Sequence, residues 1–204
     1  MQRFFKLHLV TLKRLSPCTT TSLGLLLSYR SYSNVVPRQF FSPAGGPFPL
    51  SDASSLLMRL HMEGVPTGSR AQEVARAYKD TLEYRGLFYD GHACFGTLLA
   101  DDRDTHGKLL EKVHDYLESQ RGGWNKEVTQ RVGVPLLEGI THYFDGDFSK
   151  AVATLAPIMG EVQTKIQGSR AQKDIFRQIL LSAAIKSGAK ADLTQAKQVT
   201  LSNL

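Results

Sequence analysis

After residue 50, apolar residues recur every three or four positions, and short polar or glycine-rich links break the pattern, which is the signature of successive amphipathic helices. Ser51-Asp52 forms a capping pair ahead of Leu56, Leu57, Leu60 and Met62, and Gly64 with Pro66 closes that helix. Ser69 caps a second helix, SRAQEVARAYKDTLEY, whose apolar stripe is Ala71, Val74, Ala75 and Tyr78. The stretch Arg85 to Leu99 is apolar and dotted with small residues; Gly91, Ala93 and Gly96 let a neighbouring helix come close. Asp101, Asp102 and Asp104 bound the next segment, where Leu109, Leu110, Val113 and Leu117 fit a period of about 3.6. Arg121-Gly122-Gly123 stops it. These are two hairpins in succession.

Val134, Leu136, Leu137 and Ile140 then lead to Tyr143-Phe144, Asp145-Gly146-Asp147 turns the chain, and Phe148, Ala151, Val152 and Leu155 continue on the next helix. Gly139, Gly146-Asp147, Phe148 and Ala151 stand at the spacing of the tetratricopeptide signature, a helix-turn-helix unit of roughly 34 residues. Pro135 and Glu138 occupy positions where that signature prefers apolar residues. Gly68-Ser69-Arg70-Ala71-Gln72 recurs verbatim as Gly168-Ser169-Arg170-Ala171-Gln172, each time opening a helix, which fits either duplication or two uses of good N-cap chemistry. Ile175, Phe176, Ile179, Leu180 and Ala183 make the most apolar helix; Gly188 ends it, and Ala189 to Leu204 form a last, weaker one. No strand pattern appears outside the leader. The fold class this predicts is all-α: stacked antiparallel helix hairpins in a tetratricopeptide-like superhelix, preceded by an irregular N-terminal leader.

Composition adds little until it is mapped. Apolar residues at 42% and charged residues at 22% suit an ordinary globular domain. The net charge of +6 suggests nucleic acid or an anionic membrane, yet Arg3, Lys6, Lys13, Arg14, Arg30 and Arg38 stand in residues 1–51 without one acid. The other 19 basic residues face 19 acidic ones, so the net charge of the folded part gives no support to a nucleic-acid-binding face. The opening MQRFFKLHLVTLKRL sets Phe5, Leu9 and Leu12 on one helical face and Arg3, Lys6, Lys13 and Arg14 on the other, the mark of a mitochondrial presequence. Arg30-Ser31-Tyr32-Ser33 resembles a matrix-processing pattern with the cut before Ser33. Rival readings are a secretory signal built on Leu23 to Leu27 and a disordered extension; that run is far short of the ~20 apolar residues a spanning helix needs. Pro37, Pro43, Pro47 and Pro49 with Gly45-Gly46 mark a linker. The expected organisation is therefore 1–32 presequence, 33–50 linker and 51–204 helical domain, with a matrix location, or a cytoplasmic one should the leader carry no signal.

The chemistry-bearing residues form no familiar set. His8, His61, His92, His106, His114 and His142 make no HExxH, the two cysteines make no CxxC pair, and no nucleophile elbow is present. Two cysteines, Cys18 and Cys94, set no disulfide framework. Asp90-Gly91-His92-Ala93-Cys94 comes nearest to a site: the plain reading is a buried histidine oriented by Asp90, and the sharper one a catalytic or metal role completed from another helix. Asp145-Gly146-Asp147 resembles the start of a calcium loop, but Lys150 and Ala151 fill later ligand positions. Gly122-Gly123 lacks the GKS/T of a phosphate loop. No catalytic, cofactor-binding or metal residue is assigned.

Several stretches resemble the C-terminal half of the tetratricopeptide repeat protein 38 family: Leu56-Leu57-Met58-Arg59-Leu60, Met62-Glu63-Gly64-Val65, Phe88-Tyr89-Asp90-Gly91-His92, Val132-Gly133-Val134-Pro135-Leu136, Asp145-Gly146-Asp147, and Gly168-Ser169 with Ala171-Gln172-Lys173-Asp174-Ile175-Phe176. The resemblance spans Asp52 to Lys186. Its last motif is the most specific, because helix periodicity does not demand those polar residues. The resemblance implies a helical superhelix with no catalytic residues to carry over. Met58 and Ala71 replace expected aromatics, the family's N-terminal half gives way to the leader, and the chain stops early near Leu204. The functional expectation is a non-enzymatic scaffold that binds a protein or peptide, without stable membrane insertion. The alternatives are a mitochondrial enzyme with a site near Asp90 and His92, or a truncated form of a longer helical-repeat protein.

Overall fold

The structure, a computed structural model, describes residues 47–82 and 86–202; the expected presequence and linker residues 33–46 lie outside them. Among the described residues the elements run α1 (Pro47–Met62), α2 (Ser69–Lys79), α3 (Leu87–Leu98), α4 (Arg103–Ser119), α5 (Trp124–Val128), a π-helical turn (Thr129–Gly133), α6 (Val134–Phe144), α7 (Phe148–Leu155), a 3₁₀ turn (Ala156–Ile158), α8 (Met159–Lys165), α9 (Arg170–Ser187) and α10 (Lys190–Ser202), with no strand. The fold is all-α, and the sequential helices α1–α2, α3–α4, α6–α7 and α9–α10 pack as antiparallel hairpins. None of these helices is long and apolar enough to cross a membrane.

The centre is α3, where every residue except Tyr89 is buried. Helices α1, α2, α4 and α6 all pack on it, and α9 returns to pack on α1. Two glycines make the approach possible. A Cβ on Gly91 would stand 2.7 Å from the Phe176 ring of α9, and one on Gly96 would stand 2.6 Å from the Tyr78 ring of α2. A helix apolar on all sides is one that others enclose. That helix is α3 and not α9, which the apolar spacing singles out but which carries buried Lys173 and Asp174.

Helix starts differ from their sequence expectation in instructive ways. Helix α1 begins at Pro47, four residues before the expected Ser51 cap, so residues 47–50 belong to the helix and not to the linker. Prolines are tolerated there because first-turn N–H groups have no intrahelical acceptor. Gly68, at φ 58°, takes the N-cap position of α2, so Ser69 becomes its first helical residue. In the recurring copy, Ser169 is the cap and forms a full capping box with Gln172. Ala71 is buried whereas Ala171 is exposed. The two identical pentapeptides therefore sit differently on their helices.

Helix α6 is reached through a longer helical run from Trp124, which the glycines before it hide in the sequence. The π-helical turn immediately precedes Pro135. Proline has no N–H and its ring presses on the carbonyl four residues back, so a widened turn lets the helix continue past it. The α4 stripe also turns slightly: Leu109 and Val113 are buried, while Leu110 is 37% exposed.

Paired glycine substitutions test this packing. Gly91→Val should lower stability by about 1–3 kcal/mol through overpacking against Phe176. Gly107→Ala, in α4 with nothing within 4 Å of the added methyl, should raise it by about 0.5–1 kcal/mol. Urea unfolding of the two variants beside the parent chain reads both signs.

Candidate functional site at His92

Helix α3 carries Asp90, His92 and Cys94 inward because it is enclosed on all sides. His92 is 1% exposed. Its Nδ1 is 2.6 Å from the Phe88 carbonyl, one turn back, and its Nε2 is 3.0 Å from Ser55 Oγ on α1. A carbonyl can only accept, so Nδ1 carries the proton and Nε2 accepts from the serine hydroxyl. The ring lies among Phe88, Phe95 and Phe176, with centroids 4.3, 5.1 and 5.3 Å away. Burial, with a smaller push from Arg59 and against the pull of the Phe88 carbonyl, lowers its pKa to about 4. This is a neutral imidazole with both nitrogens occupied.

Asp90 does not orient it. The carboxylate is 2% exposed, in the first turn of α3 where the helix N-terminus favours negative charge. Cys94 is fully buried, with Sγ 3.7 Å from the Leu137 carbonyl, and burial pushes its thiol well above the usual range. A buried thiol held protonated is a small apolar group and a poor nucleophile. The three residues share a helix, but each is used separately by the core.

The other histidines disperse. His61 stacks on Phe144 at 5.4 Å, and burial followed by Lys186 lowers its pKa. His114 is exposed, 3.7 Å from Glu118. His142 is half-buried, and His8 lies outside the described residues. Among the described residues no group of three His, Cys, Asp or Glu side chains is placed to hold a metal. Asp145-Gly146-Asp147 is a turn: Gly146 has φ 83°, Asp147 caps α7, and Asp145 pairs with Arg103 at 2.7 Å.

Two features go beyond the residues singled out from sequence. Lys173, 6% exposed, donates to the carbonyls of Gln163 at 2.6 Å and Ile166 at 3.0 Å, tying the end of α8 to the start of α9. Asp174 accepts from Arg177 and Gln178 and stands 3.9 Å from Arg59 of α1, which also donates to Gln178. These are the polar residues of the Ala171 to Phe176 motif, so its specificity comes from helix-to-helix bonding. His106, buried on α4, was legible too: it continues the Leu109 and Val113 stripe at helical spacing.

His92 gives a signed prediction. Its folded pKa lies below the unfolded ~6.5, so its stabilisation is complete above that value and is lost as pH falls through about 4. The loss should reach roughly 3 kcal/mol. Chemical unfolding at a series of pH values should show it, with a shallower slope in His92→Gln.

No family model and no solved structure matches this chain.

Proposed function

We propose that the helical unit is a protein-binding scaffold, in keeping with the resemblance to tetratricopeptide proteins, and that the basic leader directs it to the mitochondrial matrix. The observation that carries the first reading is the division of side chains between core and surface. His92, Cys94 and Asp90 are enclosed, whereas Trp124 stands 55% exposed at the start of α5. Leu193 and Leu201 of α10 are 43% and 52% exposed, and Leu110 of α4 is 37% exposed. An exposed indole is the kind of side chain that dominates protein interfaces, because it removes a large apolar area from water with little rotamer entropy lost. The partner on this reading is a protein or peptide with an apolar pocket for Trp124. Its recognition owes little to long-range charge, since the folded part is balanced.

The test is quantitative affinity capture of the tagged full-length chain beside Trp124→Ser and the double variant Leu193→Ser, Leu201→Ser. Recovery of a partner should fall at least about tenfold in Trp124→Ser, as expected for an interface anchor, with thermal unfolding unchanged. A substrate turnover lost in a stable His92→Gln would overturn the scaffold reading. N-terminal sequencing of the mature chain should begin at Ser33; an intact Met1 on a cytosolic protein would overturn the location.

A further inference from the structure

His106 lies on α4, a helix packed on α3 and α2, and reaches Thr141 of α6; it is 5% exposed. Its Nε2 is 3.1 Å from Thr141 Oγ1, and Thr141 itself donates to the Leu137 carbonyl at 2.8 Å. The hydroxyl proton is therefore used, and Nε2–H of the ring donates to the hydroxyl oxygen. That leaves Nδ1 as a buried acceptor with no hydrogen-bond donor among the described residues. Adding a proton there creates a buried N–H without an acceptor and a cation one turn from Arg103.

The charges around the ring are few. Arg103, on the same helix, opposes protonation, and Asp145, from the end of α6, favours it; burial outweighs both and keeps the imidazole below its ordinary value. From α2, Lys79 acts on Asp102, the carboxylate that caps α4 by accepting from the Thr105 amide at 3.0 Å. From α3, Cys94 feels Arg103 and Asp90. His142 follows Thr141 on α6 and is the other titratable group of that turn.

We propose that His106 is a proton-operated latch: neutral, it ties the first turns of α4 to α6, and protonated, it frees them while the rest of α4 stays packed on α3. Release is local because the junction lies at a rim. The Arg103 and Asp145 side chains beside it are 46% and 39% exposed. Lifting one helix end brings water to Nδ1. At His92, by contrast, both nitrogens are already bonded and three phenyl rings surround the imidazole, so its protonation needs the core itself to open. The sign follows from the depressed pKa of His106: the latch is fully engaged above the unfolded value of ~6.5 and loosens progressively as pH falls from there through the lower folded value.

Hydrogen exchange of the full-length chain, corrected for intrinsic exchange, tests this at pH ~7.5 and ~5.5, on either side of the ordinary imidazole value. Protection across the first turns of α4, residues 103–110, should fall roughly tenfold at the lower pH and stay below that of Leu87–Leu98, whose opening carries the His92 dependence as well. His106→Gln keeps an N–H donor for Thr141 and takes no proton, so its α4 protection should be flat; His142→Gln should keep the parent response. A flat α4 in the parent chain would overturn the latch. So would a response that survives His106→Gln or disappears in His142→Gln, or protection in the first turns of α4 as high as that of α3 at the lower pH. Should His106→Gln fail to fold, the parent chain alone decides. The His106 ring must titrate, by its carbon-bound proton resonances, below the ordinary imidazole value and within the interval over which α4 protection falls; a ring that titrates at or above ~6.5 refutes the latch.

Discussion

Burying α3 on every side is the constraint from which the other helices take their places. A helix of twelve residues with only Tyr89 outside the core can be sheathed only by several neighbours at once. The two glycines set how close they come, with Phe176 of α9 over Gly91 and Tyr78 of α2 over Gly96. Close approach increases dispersion contact and removes apolar surface from water, two gains that grow together in a packed interior. The same closeness dictates what α3 is unable to do. A side chain on a helix enclosed this tightly has no route to substrate, whatever its chemistry.

The polar bonds inside this assembly select register more than they add stability. Arg59, Asp174, Arg177 and Gln178 form one cluster across α1 and α9, and Lys173 closes the carbonyl end of α8. Dehydrating such groups offsets much of their attraction, so their net contribution is small when all are satisfied. Removing one partner is costly, because the others are then buried without it. An apolar α9 could slide by a turn against α1 and still bury its stripe. One that must meet Arg59 with Asp174 has a single position. The Tyr78 hydroxyl acts similarly on α2, bonding Ser54 at 2.9 Å, and Ser54 in turn donates to the Leu50 carbonyl.

Much of this was legible in the sequence, and the misses have physical causes. Small residues at 91 and 96 announced a close helix contact, since little besides proximity explains glycine in an apolar helix. Helix starts were less legible. Pro47 and Pro49 read as linker although first-turn prolines are compatible with a helix. Ser69 read as a cap because the choice between glycine and serine there depends on how the preceding loop packs. Pro135 read only as a departure from the repeat signature, whereas the π-helical turn before it shows how the helix is carried through. At the candidate site, the burial of His92 followed from its apolar neighbours. Its bonds to the Phe88 carbonyl and to Ser55 were not legible, because one depends on a rotamer and the other on a residue 37 positions away.

These placements bear directly on what kind of protein this is. Residue types associated with acid-base or nucleophilic chemistry occur here, but the fold uses them as packing units. His92 joins α1 to α3, and Cys94 rests on α6 through Leu137. Each has its charged form suppressed by the same low-dielectric surroundings that stabilise the helices around it. On the scaffold reading proposed above, what is needed is a rigid frame that keeps a few apolar side chains out of its own core. Trp124 meets that description, since the helical run it opens is anchored at Gly133, where even a methyl group would stand 2.1 Å from Leu87. The helical run that carries the indole is thus held by the same packing around α3 that buries the histidine and the thiol.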